Sequence, residues 1–292
     1  MELENQLLSK FLDDINNNRI NLPTLPEVAI KVRDVVQNPD SSAAKIAITI
    51  GSDPVLTTKL LQVANSALYR PSTPIENLQT AITRLGQTVV RNIVTGMVME
   101  QLYQKGGNPK VEKHLKALWL HSTKVAAISH VLARKFTKLK PDQAMLAGLI
   151  HDIGAIPVYT EAPNIPELDD EETLKRVVSK IHNLVGTTIL DEWNFPQELI
   201  DVVSNHEDLK YDSGEKVDYV DVVTIANILS YVGTSHPLTK TDWTEIPAFK
   251  KLGLSPEESI ATMEEAQEEV ALVQGMFTSP DWYRCWTWRV RV

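Results

Sequence analysis

The sequence predicts an all-α fold. Apolar residues recur at intervals of three and four over most of its length, few stretches alternate at period two, and helix-start and helix-stop residues bracket the periodic runs. The first stripe is Val28, Val32, Val35 and Val36, in a segment opened by Pro26. Pro39-Asp40-Ser41-Ser42 interrupts it, and Ser42 or Ser41 can cap a short helix through Ile50. Asp53-Pro54 is a start signal: the carboxylate accepts bonds from the free N–H groups of the first turn, and proline there sacrifices none. Leu56, Leu60, Leu61, Val63 and Ala64 then form the buried face. After a proline-containing loop at 70–74, a helix through Ala81, Ile82 and Leu85 stops at Gly86, read as a left-handed cap. Val90, Ile93, Val94, Met97 and Val98 mark the next helix, Gln87 to Tyr103.

Lys105-Gly106-Gly107-Asn108-Pro109 is the best internal boundary, because glycine and proline both oppose helix continuation. Beyond it, helices are expected at about 111–137, 141–154, 171–192, 196–207 and 216–232. This divides the chain into an amino-terminal helical lobe (1–107), a second helical lobe (108–265) and a carboxy-terminal tail (266–292). Residues 281–292 alternate large apolar and basic side chains, expected to pack on their own body or on a second copy in a homodimer.

The composition narrows the functional class. A net charge of −9 without a run of Lys or Arg argues against nucleic-acid binding, which draws its affinity from neutralised phosphates. The first residues are polar and acidic, unlike a secretory signal, and no apolar run reaches membrane-spanning length. Cys285 is the single cysteine and cannot form an internal disulfide. A cytoplasmic protein is expected.

Four of the seven histidines fall where inward-facing positions are due. His121 shares a stripe with Leu118, Val125 and Leu132; His151 and Asp152 follow Leu146, Leu149 and Ile150; His182 sits in Ile181-His182-Asn183-Leu184; and His206, beside Glu207, ends the run containing Leu199 and Val203. Imidazole and carboxylate suit divalent iron, manganese or zinc, and helices converging on one point could assemble such a centre. Adjacent side chains diverge by about 100° on a helix, so His151 and Asp152 share an ion only if it lies between them. His236, next to Pro237 in a loop, is read as no ligand, and Trp193 as an anchor between two helices.

Leu22-Pro23-Thr24-Leu25-Pro26, Asp53-Pro54-Val55-Leu56-Thr57-Thr58-Lys59-Leu60-Leu61, Asn65-Ser66-Ala67-Leu68-Tyr69 and Ala81-Ile82-Thr83-Arg84-Leu85-Gly86 together resemble the HDOD domain, an HD-related output domain of bacterial signalling proteins. The resemblance covers about residues 20–235. It implies an HD-like helical bundle preceded by an amino-terminal helical lobe. In active HD phosphohydrolases a His, a His-Asp pair and a later Asp hold the metal that activates water, and His121, His151 and Asp152 match the first three positions. The last ligand sits in an Ala-Asp step, here Ala226-Asn227, so a neutral amide replaces a carboxylate; Asn227 is expected to bond His151 or Asp152. The lysine that follows His-Asp-Ile-Gly in HD-GYP phosphodiesterases is Ala155, their paired histidines are Asn205-His206, and Gly-Tyr-Pro is missing. The resemblance therefore implies a signalling module with a degenerate phosphohydrolase site. It implies a divalent metal (Fe, Mn or Zn) held weakly or not at all on His121, His151 and Asp152, with His182 and His206 as ligand contacts, or as second-site ligands or phosphate contacts if the site is a hydrolase. Its partner is expected to be a signalling protein or a small nucleotide-like ligand; the alternative is a metal-dependent phosphohydrolase acting on a nucleotide or cyclic dinucleotide.

Overall fold

The computed structural model describes residues 2–278 other than 18, 21, 39, 70, 72, 105 and 106. The Trp-rich segment 281–292, with Cys285, and the Lys105-Gly106 step lie outside the described residues. Among those described the fold is all-α, with no strand. The helices are α1 (Glu2–Asn16), α2 (Glu27–Gln37), α3 (Ala43–Gly51), α4 (Pro54–Ala64), α5 (Leu78–Leu85), α6 (Gln87–Tyr103), α7 (Pro109–Phe136), α8 (Pro141–Ile150), α9 (Ala155–Glu161), α10 (Glu171–Glu192), α11 (Gln197–Asn205), α12 (Tyr219–Ser230), α13 (Pro247–Leu252), α14 (Pro256–Glu265) and α15 (Gln267–Gly275). None is long and apolar enough to cross a membrane.

Local chemistry sets the boundaries. Ser42 caps α3 by accepting from the Lys45 N–H, and the Asp53 carboxylate caps α4 by accepting from Val55 and Leu56. The Asn65 amide clamps the following loop, donating to the carbonyls of Leu61 and Ile75 and accepting from the Ile75 N–H at 2.8 Å. Gly86 ends α5 at φ +87°, but with ψ 150° it is extended rather than left-handed helical, so the chain turns directly into α6. The long α10 is capped by Asp170, whose carboxylate accepts from the Thr173 N–H, with Glu171 and Glu172 in its first turn.

α6 and α7 form the centre. Val90, Ile93, Val94, Val98 and Leu102 of α6 are buried, and α6 packs on α2, α4, α5, α7 and α8. Its inward polar side chains are paired, Asn92 donating to Asp142 at 2.6 Å and Glu100 accepting from Lys59 at 3.0 Å. α7 packs most extensively on α8, and α12 and α15 lie against it as well. Its contact with α8 is close because both helices carry small residues there: a Cβ on Gly148 would come within 2.9 Å of the Ala126 Cα. Phe277, just beyond α15, presses onto Gly96 of α6. Across the outer edge, Glu269 of α15 accepts from Arg134 of α7 at 2.7 Å through its Nε and lies 3.7 Å from His130.

The helix expected at 141–154 ends at Ile150. Residues 151–154 form a tightened turn, in which Ile153 N–H donates to the Ile150 carbonyl and Ala155 N–H to that of Asp152, before α9 begins. The turn lies tight against α10. A Cβ on Gly154 would overlap the His182 carbonyl oxygen and the Gly186 nitrogen and stand 2.8 Å from the Gly186 Cα. The two backbones touch where only hydrogen fits.

Two expected outcomes follow. Gly154→Ala forces α9 and α10 apart and costs about 3 kcal/mol, the upper part of the usual range for overpacking, read from urea unfolding. The nearby His130 ring and the Arg134 guanidinium hold the Glu269 carboxyl down to about 2, so its folded value lies below its unfolded one. Such a group stabilises the fold above its unfolded value, and the gain disappears as pH falls through the folded one. Acid unfolding between roughly pH 4.5 and 2 should therefore be shallower in Glu269→Gln than in the parent.

Candidate metal centre

Four helices and one turn deliver the site. His121 stands on α7, with Leu118, Val125 and Leu132 of its stripe buried as expected. His151 is the C-terminal cap of α8 and Asp152 the next residue of the tight turn. His182 lies midway along α10, and His206 caps the C-terminus of α11. His151 and His206 are buried completely or nearly so, and His182 is 3% exposed.

The structure brings all five together around the Asp152 carboxylate. Oδ2 lies 3.3 Å from His151 Nε2 and 3.6 Å from His121 Nε2, and those two nitrogens are 3.2 Å apart. Oδ1 lies 3.2 Å from His206 Nε2 and 3.4 Å from His182 Nε2, which are 3.5 Å from each other. Donor atoms held at about 2.1 Å from one small ion stand roughly 3.0–3.4 Å apart, so each trio has metal-ligand spacing. The two trios share one carboxylate, one oxygen each. Glu207 Oε2, 3.8 Å from His182 Nε2, borders the second half-site.

The opposite edges of the four rings fix their chemistry. His151 Nδ1 lies 2.7 Å from the Gly148 carbonyl and His182 Nδ1 2.9 Å from that of Val178. His206 Nδ1 faces the carbonyls of Val202 and Val203 at 3.2 and 3.3 Å. A carbonyl only accepts, so each of these Nδ1 atoms must carry the hydrogen. For His121 the partner is Ser230 Oγ at 3.5 Å, a hydroxyl that donates its own proton to the Asn227 carbonyl at 2.6 Å and so accepts here. Every Nε2 in the neutral ring is then a lone pair aimed inward, the tautomer and orientation that metal-binding histidines take.

Such a cluster carries its own electrostatic signature. Burial and the neighbouring His151 push His121 down to about 3, and burial likewise lowers His206. For His151, burial opposes charging, but Asp152 and the Gly148 carbonyl outweigh it and raise the ring. Burial alone would raise Asp152; the adjoining His151, with His206 and His182 around it, holds it well below the usual carboxylate range. A divalent cation among these groups would satisfy the inward lone pairs.

Asn227 departs from expectation. Its amide makes no hydrogen bond to His151 or Asp152; Oδ1 is buried and without a partner. An orphaned buried oxygen costs on the order of 1–3 kcal/mol, which a cation could recover. Ser230 and Tyr231, one turn further along α12, were not legible as site residues, although Tyr231 is four residues from Asn227 and so shares its face. The Tyr231 hydroxyl lies 3.5 Å from His121 Nε2. Burial and the Asp152 charge push the phenol upward, as they do Tyr159, raised to about 12. The other three histidines stay apart: His114 stacks on Tyr159, His130 faces Glu269, and His236 caps a short turn and stacks on Tyr231.

Comparison with known proteins identifies the fold and the family. A chain from Shewanella amazonensis SB2B, described as a proposed metal-dependent phosphohydrolase, is 34% identical and superposes with a TM-score of 0.81, over 95% of this chain and 100% of its own. An HDOD domain protein of unknown function from Geobacter sulfurreducens shares the fold at 23% identity, with a TM-score of 0.70 over 95% of this chain and 99% of its own. An uncharacterized protein of Treponema pallidum (strain Nichols) is 24% identical over 244 residues, 78% of this chain and 45% of its own length, so the chain spans less than half of that relative. The HDOD domain profile matches residues 22–209, which contain all five residues of the cluster, and the chain belongs to the HDOD domain family.

Proposed function

We propose that the chain is a bacterial signal-transduction module whose helical core holds divalent iron, manganese or zinc and uses it to bind a phosphate-bearing, nucleotide-like ligand without turning it over. One observation carries this reading: four inward Nε2 lone pairs meet the two oxygens of a single carboxylate. His121, His151 and Asp152 Oδ2 would hold one ion; Asp152 Oδ1, His182 and His206 would hold a second, with Glu207 beside it. Histidine-rich sites with one carboxylate suit these metals better than magnesium or calcium. When bound, such ions polarise phosphoryl oxygens and lower the pKa of water.

Three residues argue against turnover. Ala155 puts a buried methyl at the start of α9, where a cation would neutralise phosphate, Asn227 adds no charge to the first half-site, and Asn205, its amide donating to the Asp201 carbonyl, adds no imidazole to the second. A second reading, hydrolysis of a phosphodiester, is favoured by the likeness to the Shewanella chain.

The purified protein should hold two ions per chain by elemental analysis after dialysis against manganese. Asp152→Ala should lose both because they share its carboxylate, while His182→Ala should lose one. Manganese-loaded protein should leave bis-p-nitrophenyl phosphate intact. Turnover that vanishes in Asp152→Ala would establish the hydrolase reading instead, and wild-type protein free of metal would remove both.

A further inference from the structure

Beside the cluster stands a polar group that is not one of its ligands, the Tyr231 hydroxyl. Tyr231 follows the last turn of α12, and its backbone N–H is bonded to the carbonyls of Ile228 and Leu229. Its ring is held by two others. It stacks on His121, with centroids 4.9 Å apart and planes inclined by 23°, and on His236 at 3.7 Å and 8°. His236 is fixed in turn, its Nδ1 accepting from Leu238 and its N–H donating to Thr234 Oγ1. A phenol held in this way has one place for its hydroxyl, 3.5 Å from His121 Nε2.

That hydroxyl can only donate there. His121 Nδ1 carries the ring hydrogen toward Ser230, so Nε2 is a lone pair. A cation on that lone pair would release the phenol proton for another acceptor beside the ion. The acceptor wanted is an oxygen, because the surroundings offer little else to an anion: Lys124, one turn along α7 from His121, is bonded to the Ser230 carbonyl, and position 155 is alanine. The nearby acids Asp152 and Glu207 would repel an anion unless cations and neutral donors outnumber them.

We propose that Tyr231 is a ligand-binding residue, its phenol O–H donating to an oxygen of a phosphate group held at the half-site of His121, His151 and Asp152. The inference rests on the metal-binding reading above and adds to it the group that recognises the anion. A hydroxyl, unlike an ammonium, brings no charge of its own, so it selects for an oxygen placed at the right distance and not for negative charge in general. The ring stack supplies the precision, since the donor has no rotamer freedom to lose on binding.

Tyr231→Phe tests this, because it keeps the ring stacked on His121 and His236 and removes only the hydroxyl. Two titrations are compared by calorimetry: manganese into metal-free protein, and inorganic phosphate into manganese-loaded protein. Manganese affinity should match the wild type, while phosphate affinity should fall by about tenfold, the usual weight of one hydrogen bond to a charged acceptor. Equal phosphate affinity in the two proteins would overturn the proposal. So would a parallel loss of manganese affinity, which would assign the hydroxyl to the ion. Wild-type protein that binds manganese but no phosphate would sink it while leaving the metal centre standing, and wild-type protein that binds no manganese would bring down both.

Discussion

Four imidazoles around one carboxylate are an unstable arrangement in isolation. Each ring is anchored at Nδ1 to an acceptor, three of them to main-chain carbonyls, so none can swing away to relieve the crowding of lone pairs inside. A buried set of acceptors is tolerated only when something positive sits among them. The rest of the core serves that constraint. His151 and His206 occupy the last turns of α8 and α11, where main-chain carbonyls lie within reach of the imidazole. The protein needs no extra residues to orient two of its four rings, because helix ends already provide the acceptors.

Convergence also depends on residues with almost no side chain. Gly148 lets α8 lie against Ala126 of α7, and Gly154 lets the turn after Asp152 touch Gly186 of α10. These two contacts set the distances from the His151-Asp152 pair to His121 on one side and to His182 on the other. Donor atoms about 3.3 Å apart leave little tolerance, and helices separated by the width of an ordinary side chain could not meet it.

Much of this was legible in the sequence. The start signals at Ser42 and Asp53 and the stripes of α6 and α7 rest on local chemistry, which periodicity and capping residues report directly. His121 and the His151-Asp152 pair stood out because polar residues occupied positions where apolar ones were due. What stayed hidden depends on contacts between segments distant in the chain. The turn after Ile150 brings Gly154 against Gly186, and no local pattern encodes that encounter. The sharing of Asp152 by both trios requires two oxygens of one side chain to face opposite ways, and sequence order says nothing about which oxygen faces which ring. Asn227 was legible as a substitution, but its unpartnered oxygen was not, and Tyr231 looked like any aromatic at a helix end.

The anchoring of α10 has a mechanical consequence. At its carboxy-terminal end the Trp193 indole N–H donates to the Pro23 carbonyl, and Arg33 of α2 donates to the Trp193 carbonyl at 2.6 Å, while α1 lies along its flank. His182 stands eleven residues earlier on the same uninterrupted helix, roughly 16 Å away at 1.5 Å per residue. A hydrogen-bonded helix transmits axial displacement with little compression. The segments at the beginning of the chain and the imidazole at the centre therefore sit on one strut.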